Sequence, residues 1–171
     1  MPEYISTLRV IGNELHISRD IFYRCAVGVN GFSDNKREGD GCTPIGNFAL
    51  RECLYRPGRV IVPPTRLPVQ PLRVDDGWCD DPKSPDYNRM VQLPYNYSHE
   101  LLWRRDNIYD IIIPIGYNDD PIVPGKGSAI FLHVARRGYT PTEGCVALAL
   151  PDLLSLVSRL SPVSRIEIKP E

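Results

Sequence analysis

Residues 128–160 read SAIFLHVARRGYTPTEGCVALALPDLLSLVSRL, and the fold is read outward from them. The segment opens on an unbroken apolar run, SAIFLHVA, which predicts a strand buried on both faces. His133 lies in that run. Cys145 follows twelve positions later, after a glycine that permits a sharp turn and the close approach of another backbone. The segment then becomes helical: PDLLSLVSRL places Leu153, Leu154, Val157 and Leu160 at i, i+1, i+4 and i+7. Pro151 and Asp152 suit the first turn of that helix, where a missing N–H is harmless and negative charge is favoured.

On either side the chain predicts strands. STLRVI, then Gly12 and Asn13, then ELHIS form a hairpin pattern, and IFYRCAVGV, GNFALRECLYR and YDIIIPIGY read as further strands. RIEIK near the end alternates like an edge or half-buried strand. SHELLWRR predicts a short second helix with Ser98 as its N-cap. Between residues 57 and 90 prolines predict an extended loop with one strand at most. That loop gathers Trp78, Asp80, Asp81, Tyr87, Asn88 and Arg89, and long loops in compact domains are commonly functional. The fold class expected is mainly β, a β-sandwich-like arrangement of mixed sheets with one or two helices. Residues 1–171 show no repeat and no boundary, so a single domain is expected.

Composition excludes several functions. Lysine and arginine total 20 against 21 aspartates and glutamates, so no basic footprint for nucleic acid exists. No apolar run approaches the roughly 18 residues of a membrane helix. The N-terminus lacks a basic segment followed by an apolar one, so no secretory signal is recognised there. Five cysteines without a Cys-x-x-Cys pair argue against a structural zinc site and against a disulfide framework. No metal or organic cofactor is expected.

Which thiol is free for chemistry is then the useful question. A thiol needs a base or an electropositive neighbour to ionise near neutral pH, and an imidazole serves. Backbone N–H groups in the turn before Cys145 could face a developing oxyanion. From spacing alone, packing is the commoner role for such a cysteine and for a histidine after an apolar run. His16 and His99 have no partner at a telling spacing.

The combination of motifs resembles a known family. Histidine, loop, then Thr142-Glu143-Gly144-Cys145-Val146 is similar to the Ser-His-Gly-Cys-apolar signature of the YkuD-like L,D-transpeptidase catalytic domain. Roughly 100 residues upstream, GDGCTPIGNF matches its Thr-Pro-x-Gly-x-Phe turn at Thr43, Pro44, Gly46 and Phe48. The resemblance implies the YkuD-like fold and a peptidoglycan transpeptidase that forms a thioester at meso-diaminopimelate of a stem peptide. An amine of another stem would then resolve it, giving a 3-3 or 1-3 crosslink. It implies Cys145 as nucleophile, His133 as base and then acid, and the Val134 carbonyl as the group orienting the imidazole. Glu143, Gly144 and Cys145 occupy the oxyanion-hole segment, and Thr142 the motif's small hydroxyl. The partners implied are peptidoglycan stem peptides, and the location the periplasm or cell envelope, with a cytoplasmic one left open.

Two positions depart from the family. Glu143 replaces its second histidine, and Ala147 replaces its arginine. A carboxylate beside the thiol opposes ionisation, so Glu143 is expected to face solvent or pair with Arg136 or Arg137. Facing inward, it would hold the ammonium of an attacking amine. The loss of the arginine implies a rebuilt pocket, for which Arg89 offers a site for a carboxylate, Asp80 or Asp81 a site for an amine, and Trp78 and Tyr87 walls. A loop packed by its own aromatics is the alternative. The same thiol with water as acceptor gives an L,D-carboxypeptidase or amidase. A non-catalytic wall-binding module is a third reading.

Overall fold

A computed structural model describes residues 3–171. Among them the strands are β1 (Thr7–Ile11), β2 (Glu14–His16), β3 (Phe22–Ala26), β4 (Phe32–Ser33), β5 (Thr43–Pro44), β6 (Gly46–Ala49), β7 (Cys53–Tyr55) and β8 (Val69–Pro71). They continue with β9 (Asp76–Cys79), β10 (Met90–Gln92), β11 (His99–Leu101), β12 (Ile111–Pro114), β13 (Phe131–Val134) and β14 (Val146–Leu148). The helix α1 (Leu150–Val157) and β15 (Arg165–Lys169) complete the order. Ten strands make one mixed sheet, β6-β15-β1-β2-β3-β14-β13-β12-β7-β8, beside a three-stranded sheet β10-β9-β11 and the pair β4-β5.

The predicted hairpin forms as β1 and β2, with Gly12 at φ +56° making the turn that a side chain would resist. β15 is half-buried as its alternation predicts, with Ile166 and Ile168 inward, and it lies between β6 and β1. The expected strand over GNFALRECLYR is two strands. β6 pairs with β15 and β7 with β12, and Leu50 between them bridges Ile115.

Residues 57–90 hold more order than their prolines suggest, with β8, β9 and the start of β10. The expected helix at SHELLWRR is corrected by the structure. Its residues His99–Leu101 are β11, paired antiparallel to β9 with Glu100 opposite Trp78. An isolated helix of eight residues is marginal in water, and cross-strand pairing with a tryptophan outweighs the local preference. α1 forms where expected but ends at Val157, with Leu153, Leu156 and Val157 buried.

The centre of the large sheet is buried on both faces, and the pleat assigns each residue to one of two cores. Ile111 and Ile113 of β12, Leu132 and Val134 of β13, and Val146 and Leu148 of β14 join one core with Leu153, Leu156 and Val157 of α1. Ile112, Phe131 and Cys145 face the other way, into a second core with Leu54, Leu102 and Tyr109. The small sheet covers this second face, since Trp78 and Met90 pack against that core. Period-two alternation therefore points the two candidate catalytic side chains away from α1, toward the small sheet.

Candidate active site

β13 and β14 run parallel with Leu132 opposite Val146 and His133 opposite Ala147. Cys145, one residue before β14, lies beside Phe131 and shares its face with His133 and Ala147. The Phe131 N–H donates to Cys145 Sγ at 3.4 Å, and the thiol donates to the Ala129 carbonyl at 3.1 Å. Ala129 holds φ +54° and its N–H donates to Asn88 Oδ1 at 3.0 Å. The same oxygen accepts from Trp78 Nε1 at 3.0 Å, so the loop before β10 fixes the carbonyl that meets the thiol.

The turn entering β14 is closed by its own threonine. Thr142 Oγ1 donates to the Cys145 carbonyl at 2.6 Å and accepts from the Gly144 N–H at 3.1 Å. The Gly144 N–H is thereby occupied. The N–H groups of Glu143 and Cys145 have no acceptor among the described residues, which leaves two donors at the turn for an incoming oxyanion. Gly144 is required here: its φ is +141°, and a Cβ would lie 2.7 Å from the Cys42 carbonyl oxygen.

His133 Nδ1 bonds the Val134 carbonyl at 2.9 Å. A carbonyl only accepts, so Nδ1 carries the proton and Nε2 holds a free lone pair. Tyr109 packs edge-on against the ring, centroids 5.3 Å apart. Burial drives the imidazole down to about 4, with the nearby Arg136 and Arg104 adding to the effect. Burial, then the charge of Glu100, pushes the Cys145 thiol up to about 12. The pair in the free protein is a neutral thiol and a neutral base, not an ion pair.

Cys145 and His133 open on one cavity of about 530 Å³, with Ala147, Thr142 and Glu143 also in its lining. Both are nearly covered, 8% and 5% exposed. Glu143 is exposed at the rim and makes no ion pair among the described residues, with Arg136 bound instead to Asp106 at 3.4 Å. The remaining candidates separate. Arg136 and Asp80 line the cavity with the thiol, whereas Trp78 and Arg89 line a second cavity of about 270 Å³. Tyr87 is buried, its hydroxyl donating to Glu38. Asp81 caps its own turn by accepting from the Lys83 N–H at 2.9 Å. All five cysteines are free thiols. No group of three or more His, Cys, Asp or Glu side chains among the described residues could hold a metal ion.

Three residues of the site were not foreseen. Glu100 and Tyr109 line the cavity, and the Tyr109 hydroxyl donates to Glu100 Oε2 at 2.7 Å. Arg104 lies in the same wall, held by Asp106 through two bonds of 2.8 Å. Only the β9–β11 pairing brings Glu100 there, and a short stretch misread as helix concealed it.

Compared with protein-family models, residues 9–168 match YkuD, the L,D-transpeptidase catalytic domain. The chain belongs to this family. Among curated proteins, none matches it. The match covers both motifs and all but the outer ends of β1 and β15 in the two-core sheet, and L,D-transpeptidases act on peptidoglycan. No helix among the described residues is long and apolar enough to cross a membrane. Ala147 stands directly opposite His133 and lines the same cavity, so a methyl group lies beside the imidazole there.

Proposed function

We propose that the protein is a cysteine acyl-transferase that crosslinks peptidoglycan stem peptides in the cell envelope, with residues 1–171 as one catalytic domain. The observation that carries this is the single cavity shared by the Cys145 thiol and an imidazole whose Nε2 lone pair is free. His133 Nε2 takes the thiol proton as Sγ attacks the donor peptide carbonyl at diaminopimelate. The N–H groups of Glu143 and Cys145 receive the oxyanion, and Thr142 and Gly144 hold the turn that aims them. The C–N bond breaks and His133 returns the proton to the departing amine, leaving a thioester on Cys145. An amine of a second stem then attacks, gives a proton to His133, and releases the crosslinked product and the free thiolate, which His133 reprotonates. The Val134 carbonyl keeps the imidazole in the required tautomer throughout.

The test is incubation of the purified protein with muropeptides, followed by intact mass of the protein and mass of the products. An acyl adduct on Cys145 together with crosslinked dimers is expected, and both vanish in Cys145→Ala. An adduct with shortened monomers alone would reassign the enzyme as a carboxypeptidase. Absence of any adduct, with glycan binding retained, would sink acyl transfer in favour of a wall-binding module.

A further inference from the structure

The Cys145 thiol shares a cavity with His133 but is not hydrogen-bonded to it. Among the described residues its proton goes to the Ala129 carbonyl at 3.1 Å and its sulfur accepts from the Phe131 N–H at 3.4 Å, whereas the His133 ring bonds the Val134 carbonyl. A thiol has one proton, so Sγ–H cannot serve Ala129 and His133 Nε2 together. The carbonyl that holds it belongs to a residue in an unfavourable conformation. Ala129 stands at φ +54°, a left-handed setting that alanine rarely adopts and that persists where neighbours impose it. Asn88 supplies that constraint. Its Oδ1 accepts from the Ala129 N–H and from Trp78 Nε1, both at 3.0 Å. Its Nδ2 donates to the carbonyls of Asn118 at 2.8 Å and Tyr117 at 3.2 Å, so both ends of the amide are occupied and it cannot turn. Asn88 is itself buried at φ +56°, which asparagine tolerates. It lines the cavity of about 270 Å³ and not the one at the thiol, so its effect on Sγ passes through Ala129.

We propose that Asn88 is a positioning residue for the nucleophile: by holding the Ala129 peptide it keeps the Sγ–H proton on the Ala129 carbonyl, turned away from His133, in the free protein. The proposal rests on the reading of Cys145 as the nucleophile and adds a resting state to it. Before His133 can take the proton, Sγ–H must leave the Ala129 carbonyl and turn to Nε2. The acceptor bond to Ala129 stabilises the neutral thiol, while the donor bond from Phe131 fixes Sγ on the cavity wall and favours the thiolate once it forms. The same short segment at the entry to β13 thus aims the sulfur and withholds its proton. Two neighbouring bonds tie that segment down on the same side: the Gly127 N–H donates to the Tyr87 hydroxyl at 2.9 Å and the Ser128 hydroxyl to Glu38 at 2.7 Å. Neither reaches the Ala129 peptide, which leaves Asn88 as the side chain that sets its carbonyl.

Infrared spectroscopy of the S–H stretch tests this without any substrate, because donation of the thiol proton lowers the frequency of that band. The spectrum of the protein minus that of Cys145→Ala isolates the Cys145 band from those of the other four thiols. The band is expected below that of a non-donating thiol, ethanethiol in carbon tetrachloride, and in the same place when the pair of spectra is repeated in His133→Gln. A band at the non-donating position, or one that moves when the imidazole is removed, overturns the proposal. Asn88→Gly suits the positive φ without strain and removes the hold on Ala129. In that background the Cys145 band should rise toward the non-donating position or move to a new acceptor. Labelling of Cys145 by iodoacetamide near neutral pH should quicken about fivefold, the worth of one neutral hydrogen bond. An unmoved band in Asn88→Gly overturns the role of Asn88, whatever the labelling rate, since a merely loosened fold changes access and not the acceptor. If Asn88→Gly opens the fold, seen as labelling of buried Cys25 and Cys53, Asn88→Asp is read in its place. It keeps Oδ1 for the Ala129 N–H, so the band should stay where the parent has it, and a displaced band overturns the role equally. Failure of acyl transfer would show in the muropeptide assay and would leave these bands untouched.

Discussion

Tyr109 stands edge-on to His133, with ring centroids 5.3 Å apart and planes at 84°. Its hydroxyl donates to Glu100 at 2.7 Å, so one side chain walls the imidazole and steadies the carboxylate. The two roles separate by substitution. Tyr109→Phe keeps the ring and loses the hydrogen bond, which should cost about 1 kcal/mol in urea unfolding. Tyr109→Ala removes a buried ring, should cost about 3–5 kcal/mol, and frees the imidazole to turn. Acyl-adduct formation should fall at least about tenfold further in Tyr109→Ala than in Tyr109→Phe, as expected for misplaced catalytic groups. Equal rates in the two variants would show that the ring does not hold His133.

Protonation of His133 links the site to stability. Its folded value of about 4 lies below the unfolded value of 6.5, because burial disfavours the charged ring. The neutral ring is therefore stabilising above pH 6.5, and this contribution is lost as pH falls through the folded value. The loss is on the order of 3 kcal/mol once pH is below both values. His133→Gln cannot titrate. The difference in unfolding free energy between wild type and His133→Gln should shrink between pH 7 and pH 4.5 in urea titrations. A difference independent of pH would mean that the ring is not held neutral.

The central strands were legible because burial on both faces leaves a continuous apolar run. SAIFLHVA could be assigned as a strand and His133 placed on rigid structure from that alone. The turn before Cys145 was legible through Gly144, and the hairpin through Gly12 and Asn13. The small sheet was not. β9, β10 and β11 span three or four residues each and are held by pairing with one another, a non-local property that periodicity does not record. Glu100 became part of the site through that pairing, and Arg89 went to the opposite cavity through the same sheet. Residues placed by a motif could thus be named from sequence, whereas residues placed by strand pairing could not.

Thr142 bonds both ends of the turn, donating to the Cys145 carbonyl at 2.6 Å and accepting from the Gly144 N–H at 3.1 Å. Thr142→Ser retains both bonds and should form the acyl adduct within about threefold of wild type. Thr142→Val keeps the shape and leaves a backbone donor and acceptor unmatched, at a cost of about 1–3 kcal/mol. Adduct formation in Thr142→Val should drop by more than tenfold, because the N–H groups of Glu143 and Cys145 lose their aim. If Thr142→Val acylates like Thr142→Ser, the hydroxyl does not organise the turn.

Gly144→Ala and Gly138→Ala together separate backbone strain from collision. Both glycines hold positive φ, +141° and +76°. A Cβ at Gly138 meets nothing within 4 Å, so Gly138→Ala carries only conformational strain, about 1–2 kcal/mol. A Cβ at Gly144 meets the Cys42 carbonyl oxygen at 2.7 Å and Ile130 Cδ1 at 3.2 Å. The oxygen is backbone of the segment that carries the Thr43-Pro44 strand, so it cannot swing aside as a side-chain tip would. The turn must move instead, and with it the Cys145 thiol and the two free N–H groups. Gly144→Ala should therefore be destabilised by at least about 1 kcal/mol more than Gly138→Ala, since overpacking adds to strain. It should also lose acyl-adduct formation that Gly138→Ala retains. Equal stability and equal acylation in the two variants would show that Gly144 is needed for its conformation alone, and that the approach of Cys42 does not set the geometry of the thiol.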